Sequence, residues 1–360
     1  MPAVTASIPF DRVYSTTAAA ERSTVAMEIV QSNPLLWHMY RQGAVQYEGG
    51  TECRQPVVLT ESSNVSAIST YETFSTTPED GPDTARYATW FKNRASVVVD
   101  NTELSQNRGA YQIVNLLNAK MAISKISLMN ELSRQLFTTN LGASKEIAGL
   151  PNFIGSAGTS AASAQSAAGV VGGITQSAYP NWQNQSGTMT AFGTDGLDAW
   201  EQIYMDCSKK STHPDLILVD PQVYRFFKRL VAPNQAERDK ALWDQGFQNL
   251  LFEGTPVVPE EQLVAGECYF LTTTGKRGVN DFNLKPEHFT VPGKNPLAQG
   301  KATGVGLQLA VLSNDDFRMT DFMTPPNSDV IMAHQYFTCM LTASSLARQG
   351  MSTFTGAVQF

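Results

Sequence analysis

The chain has 360 residues, 42% of them hydrophobic and only 16% charged, with a formal net charge of −7. That is enough apolar material for a real core, which excludes wholesale disorder, and the length accommodates about two domains of ~150 residues. The acidic balance opposes tight nucleic-acid binding over the whole surface, because displacing counterions from phosphates needs clustered Lys and Arg.

Taken in chain order, residues 1–43 mix Ala, Ser and Thr with scattered charges and are expected to form an arm, docked by the bulky run Asn33-Pro34-Leu35-Leu36-Trp37. Residues 44–100 read as a β-hairpin with flanking strands. Val57-Val58-Leu59-Thr60 and residues 65–71 are β-rich. The cluster Thr77, Pro78, Glu79, Asp80, Gly81, Pro82 cannot continue a strand and is expected at the tip, and residues 87–99 return. Arms of ~15 residues reach about 50 Å. A two-stranded ribbon of that length is unstable alone in water, so it is expected to find its burial on a neighbouring molecule. The low charge agrees, since much of the surface is then covered by partners.

Capping residues from Asp100 to Glu103 lead into a predicted helix over 109–138. Ala110, Val114, Leu117, Met121, Leu128 and Leu132 recur on or near one face, while Lys120, Lys125, Asn130 and Arg134 fall mostly elsewhere. About 30 residues at 1.5 Å each give a spine of ~45 Å. Residues 155–173 are Ala, Ser, Gly and Thr with almost no bulk, expected as a flexible surface loop. A compact α/β domain follows: a helix marked by Leu197, Trp200, Tyr204 and Cys207, a buried strand over 216–219 stopped by Asp220-Pro221, a helix over 223–231, and strands over 256–258 and 268–271. Residues 317–322 and 330–341 flank a Pro-Pro turn and should pair as a hairpin that returns to the spine. The α/β domain is then an insertion.

Little catalytic chemistry is legible. His38, His213, His288 and His334 include no i, i+4 pair and no neighbouring Cys at metal spacing. Cys53, Cys207, Cys268 and Cys339 are scattered and read as buried free thiols of a reducing compartment. Cys207 and His213 lie close in sequence, but a nucleophile pair is defined by geometry, and the apolar helix face explains Cys207 better. No nucleophile elbow, phosphate loop or dinucleotide fingerprint occurs. No catalytic, cofactor-binding or metal residue is assigned. An α/β hydrolase-like enzyme built on 174–274 remains the rival from another class, without a nucleophile motif to support it. Arg225, Lys228, Arg229 and Arg238 form a basic cluster, read either as the solvated face of a helix or as an inter-subunit strip. With no secretory pattern at the start and no apolar run near ~20 residues, the chain is expected to be soluble and cytosolic, with no membrane partner.

The order of arm, hairpin, spine helix, inserted α/β domain and closing strands resembles the major capsid protein of tailed double-stranded-DNA bacteriophages, with its Hong Kong 97-like fold. Three stretches carry the resemblance: Val98-Val99-Asp100-Asn101-Thr102-Glu103-Leu104-Ser105-Gln106-Asn107-Arg108-Gly109; Gly172-Gly173-Ile174-Thr175 through Trp182-Gln183-Asn184; and His213-Pro214-Asp215-Leu216-Ile217-Leu218-Val219, Tyr224, then Leu251-Phe252-Glu253-Gly254-Thr255-Pro256-Val257-Val258. It implies an α+β fold with an N-arm at 1–43, an E-loop hairpin at 44–100, a P-domain from 101–141 and 275–360, and an A-domain at 142–274. It also implies hexamers and pentamers closing an icosahedral shell around DNA held without sequence-specific contacts, assembled in the host cytoplasm and carried in the virion. A portal and, given the short arm, a separate scaffolding protein are the expected partners. Encapsulins share the fold and enclose cargo enzymes instead. Some relatives cross-link Lys to Asn with a Glu assisting. Lys92, Asn327 and Glu131 are of those types, but the sequence gives them no geometry and the role is not carried over. No cofactor is implied. Candidate inter-subunit contacts are the tip residues Thr77, Pro78, Glu79, Asp80, Gly81 and Pro82, and the charges Lys120, Lys125, Arg134, Arg225 and Arg229.

Overall fold

A computed structural model describes residues 33–57, 59–60, 65, 67–70, 83–87, 89–106, 116–139, 145–162, 166–209, 212–231, 239, 243–244, 247–273, 306–313, 315, 318–321, 323–326 and 329–360. The expected tip, Thr77 to Pro82, lies outside them, as do Arg238, Asn327 and the side chain of Lys125.

Among the described residues the architecture is mixed α+β, with two large sheets, two two-stranded ribbons and two apolar cores. Helix α1 (Pro34–Gln42) starts where proline fits the first turn, and Asn33 caps it by accepting the Leu36 N–H at 2.9 Å. Asn33 also donates to Ser133 Oγ, tying α1 to the spine. A short helix α2 (Asn101–Gln106) precedes the spine α3 (Leu116–Phe137), whose 22 residues span about 33 Å. The earlier start expected at 109 lies outside the described residues. Leu128, Leu132 and Leu136 face the larger core, whereas Ile123 is 60% exposed.

The hairpin itself consists of β2 (Cys53–Val57) and β3 (Asp83–Tyr87), antiparallel from Cys53↔Tyr87 to Val57↔Asp83. Positions 65 and 67–70, expected in a strand, are not in one, and Val65 and Ile68 stand 82% and 59% exposed. The expected return arm, 87–99, is shared between two strands, with Tyr87 in β3. Its larger part, β4 (Phe91–Asp100), pairs antiparallel with β14 (Val330–Ala343) over ten positions, from Phe91↔Cys339 to Asp100↔Val330. The reason is burial: Phe91, Asn93, Val97 and Val99 alternate with exposed residues, and that pattern needs a sheet with one covered face. The other edge of β14 takes β12 (Leu307–Leu312), which pairs in parallel with β1 (Val45–Glu48), and the expected partner β13 (Arg318–Met319).

The second sheet runs β7 (Gln185–Met189), β15 (Gly350–Phe354), β11 (Cys268–Leu271), β8 (Leu216–Val219), β10 (Thr255–Pro259) and β9 (Leu250–Phe252). Its central strands are apolar throughout because both faces are covered. Leu216 and Leu218 enter the larger core with Leu132 and Phe337, while Ile217 and Val219 enter the second core with Trp200 and Phe227. Helices α4 (Leu197–Cys207) and α5 (Pro221–Val231) cover that second face. The C-terminal strand departs from the expectation that the closing strands stay with the spine. β15 crosses into the second sheet, parallel to β7 and antiparallel to β11.

The small-residue segment expected as a surface loop exposes Ser156, Ala157, Ala167 and Ala168 but is packed at its C-terminal end. There β5 (Val170–Val171) pairs with β6 (Ile174–Thr175), just beyond the segment, and the turn between them sits on the hairpin base. The Arg86 N–H donates to the Gly172 carbonyl at 2.8 Å, and Trp182 Nε1 donates to the Val171 carbonyl at 3.2 Å. Small side chains permit this approach: Gly172 has φ +60°, and a Cβ there would stand 2.9 Å from Ala85 Cβ. Gly172→Val is therefore expected to cost about 2 kcal/mol through clash and left-handed strain. A melting temperature unchanged within a degree would contradict it.

Candidate assembly surfaces

The base of the hairpin is part of the body, since Cys53, Val57 and Ala85 lie in the larger core. Residues 58–82 connect its strands, and from Glu61 to Asp83 the sequence carries five acidic residues and no Lys or Arg. Among the described residues β4 pairs with β14 alone, so it forms an outer strand of the first sheet. Beside it, a groove of about 460 Å³ opens against α3 around Ile123. Arg94, Val98, Lys120, Ile123, Ser127 and Leu128 line it, and Val98 and Ile123 expose 44% and 60% of their surface. An unpaired strand edge next to exposed apolar side chains suits an incoming extended segment.

The charges singled out in the sequence separate into two groups. Lys120 pairs with Glu103 and donates to the Val98 carbonyl at 3.3 Å, tying α2 and β4 to the spine. Arg134 donates to Glu131 at 3.0 and 2.6 Å and to Glu146 at 2.9 Å. That fork holds the Glu131 carboxyl below its ordinary range. Lys120 and Arg134 thus serve contacts within the subunit. Arg225 is exposed on α5, and Arg229 lies over the Phe360 ring, 4.3 Å from its centroid. Sequence reasoning passed over the opposite feature: α4 exposes Asp198, Glu201 and Asp206 around Met205, which is 59% exposed. The three-and-four spacing that placed Trp200 and Tyr204 inside puts these residues outside, so the signal was available.

The groups weighed for chemistry occupy structural positions. Cys53, Cys207, Cys268 and Cys339 are free and buried, and burial pushes each thiol up, away from the reactive thiolate. His213 stacks on Tyr204, 6.3 Å between ring centroids. Lys92 lies over the Tyr336 ring, 4.2 Å from its centroid. Among the described residues no group of His, Cys, Asp and Glu could hold a metal ion, and no helix is long and apolar enough to cross a membrane.

A buried polar contact joins α1 to the second sheet. His38 Nε2 of α1 stands 3.6 Å from Asp215 Oδ1 at the entry to β8. The Thr273 hydroxyl and N–H donate to the same carboxylate, at 2.7 Å and at 3.0 to 3.1 Å. Burial pushes the Asp215 acid up, and the His38 ring and the Thr273 donors outweigh it, holding the carboxyl below its usual range. A depressed acid adds stability above its unfolded pKa of about 3.9, and that stability is lost as pH falls through the folded value. Wild type should therefore lose stability below about pH 4 more steeply than Asp215→Asn. Denaturant midpoints between pH 2 and 5 test this, and parallel curves would refute it.

No family profile and no curated protein matches the sequence. Solved structures do. The capsid subunit of cyanophage A-1(L) superposes with a TM-score of 0.60 at 14% identity, over 90% of this chain and 92% of that one. This chain has the phage major capsid protein fold. The capsid of Myoviridae phage XM1 also shares that capsid fold, with a TM-score of 0.52 at 10% identity over 88% and 91% of the two chains. An encapsulin complex from Synechococcus elongatus gives 0.50 at 12% identity over 86% and 84%. The capsid fold thus extends over nearly the whole length of each neighbour.

Proposed function

We propose that this protein is the structural subunit of a closed shell: a major capsid protein that gathers into hexamers and pentamers of an icosahedral particle enclosing double-stranded DNA. The observation that carries the reading is the fold held in common with a cyanophage capsid subunit over 90% of the chain. A shell closes through many moderate contacts repeated by symmetry, which asks each subunit for a donor and an acceptor surface. The acidic hairpin connection, residues 58–82, is the donor, and the groove beside β4 in the neighbouring copy, which carries Arg94 and Lys120 beside Val98 and Ile123, is the acceptor. In the language of Hong Kong 97-like shells, the hairpin acts as the E-loop, the first sheet with α3 as the P-domain, and the second sheet as the A-domain. The net charge of −7 suits a wall that must not stick to the DNA inside. A separate scaffolding protein and a portal complete the set, with assembly in the host cytoplasm and the product carried in the virion. The encapsulin likeness supports a second reading, a nanocompartment around a protein cargo.

Electron microscopy of the expressed protein tests the reading. Uniform closed particles are expected, with nuclease-protected DNA in those recovered from the native source. Closed particles holding an enzyme cargo favour the nanocompartment. Compact monomers at every concentration overturn both.

A further inference from the structure

The second sheet carries its two helices over different strands of one face. α4 packs on β7 and β15 and α5 on β10, and Trp200 of α4 meets Phe227 of α5 with ring centroids 5.2 Å apart. With the strand order β7-β15-β11-β8-β10-β9, the helices lie over opposite halves of the sheet. Their exposed sides are opposite in charge. α4 exposes Asp198, Glu201 and Asp206 and contains no Lys or Arg; α5 exposes Arg225, Lys228 and Arg229 and contains no Asp or Glu. Asp198 and Glu201 are three residues apart, and so are Arg225 and Lys228, so each of these pairs forms a stripe along one side of its helix. No ion pair joins Asp198, Glu201, Asp206, Arg225 or Lys228 to any described residue.

We propose that the acidic stripe of α4 in one copy docks on the basic stripe of α5 in the next. The inference rests on the shell reading and gives that shell its ring contact. A domain bearing opposite charges over its two halves is complementary to a second copy placed head to tail, and a head-to-tail contact repeated by rotation closes a ring. A two-fold contact of either stripe with itself would set like charges together. Met205 supplies the apolar centre of the patch and the charges its rim. Rim pairs each add little energy, but they fix register and orientation and respond to salt.

Charge exchange tests the pairing. Arg225→Glu/Lys228→Glu and Asp198→Lys/Glu201→Lys are each expected to lower particle yield at least tenfold. All four substitutions in one chain exchange the stripes and should restore the yield. A short bis-maleimide applied to Gln202→Cys/Arg225→Cys particles should join subunits into a ladder on denaturing gels, because the four native cysteines are buried. Normal yield from either reversal, no rescue on exchange, or particles without a ladder would each overturn the inference while leaving the shell reading intact. If the reversed variants fail to fold, judged by circular dichroism, the ladder decides. Absence of particles from the wild-type chain would instead count against the shell reading itself.

Discussion

Replacing residues 61–82 with a short Gly-Ser turn should leave a folded, soluble subunit that no longer closes shells. The fold tolerates the change because β2 and β3 hold each other over five positions, Cys53↔Tyr87 to Val57↔Asp83, and their inward side chains belong to the larger core. Their base is further fixed by the Tyr87 hydroxyl, which donates to the Ala343 carbonyl at 2.8 Å, and by the bond from Arg86 to Gly172. Shortening a loop between strands already paired changes closure entropy by about 1 kcal/mol or less. Assembly has no such reserve. The removed segment contains the exposed Val65 and Ile68 and the acidic residues Glu61, Glu72, Glu79 and Asp80. If it docks on the neighbour's groove, each subunit loses its donor surface, and a defect repeated at every contact prevents closure. The expected result is a melting temperature within about 3 °C of wild type, a monomeric or small-oligomer peak in sedimentation, and no closed particles on grids. Closed particles at wild-type yield would mean that the hairpin connection makes no contact needed for assembly.

Much of the fold was legible because its signals are local. Residues 216–219 and 268–271 read as strands from continuous apolar runs, and both faces of the second sheet are indeed covered. Asp220-Pro221 marked where β8 stops, although α5 begins at Pro221 and not at the expected Val223, and the spacing of Trp200, Tyr204 and Cys207 marked the buried side of α4. What escaped was set by partners distant in sequence. Residues 91–100 alternate equally well for a hairpin arm or for a domain strand, and only β14, over 230 residues later, decides between them. Likewise Gly350–Phe354 carries no mark of the sheet it joins, because Gly350 fits there through its lack of a side chain beside Ile203 and Cys207. The segment around Gly172 was misjudged for a related reason: absence of bulk signals flexibility in isolation and close packing when a strand lies against it. Of the candidate contact residues, charge and exposure were readable, but Lys120 and Arg134 found partners inside the subunit that helical spacing alone did not show for Lys120.

Trp200→Ala should be the most damaging single substitution in the second core. Trp200 is fully buried, and four rings surround it, with centroids at 5.1 Å (Phe192), 5.2 Å (Phe227), 5.7 Å (Phe252) and 5.7 Å (Phe270). Removing a buried Trp typically costs about 3–5 kcal/mol, through lost transfer energy and the cavity left behind. Aromatic pairing adds to the loss, and these neighbours come from α5, β9, β11 and the turn before α4, so no single element can move to fill the gap. The damage should not stay local. Ile217 and Phe270 face Trp200 from strands whose alternate residues, Leu218 and Tyr269, build the larger core. Against a total stability of about 5–15 kcal/mol, such a loss brings the subunit close to unfolding. Equilibrium denaturation in the 61–82 deletion background, where assembly does not interfere, should show the midpoint fall sharply. The half-exposed Trp243→Ala should cost less than about 1 kcal/mol in the same background. Because α4 and α5 both rest on this ring cluster, Trp200→Ala should also lower shell yield, even though the residue reaches no neighbour. Equal midpoints for the two tryptophan variants would mean that the second core does not hold these helices in place.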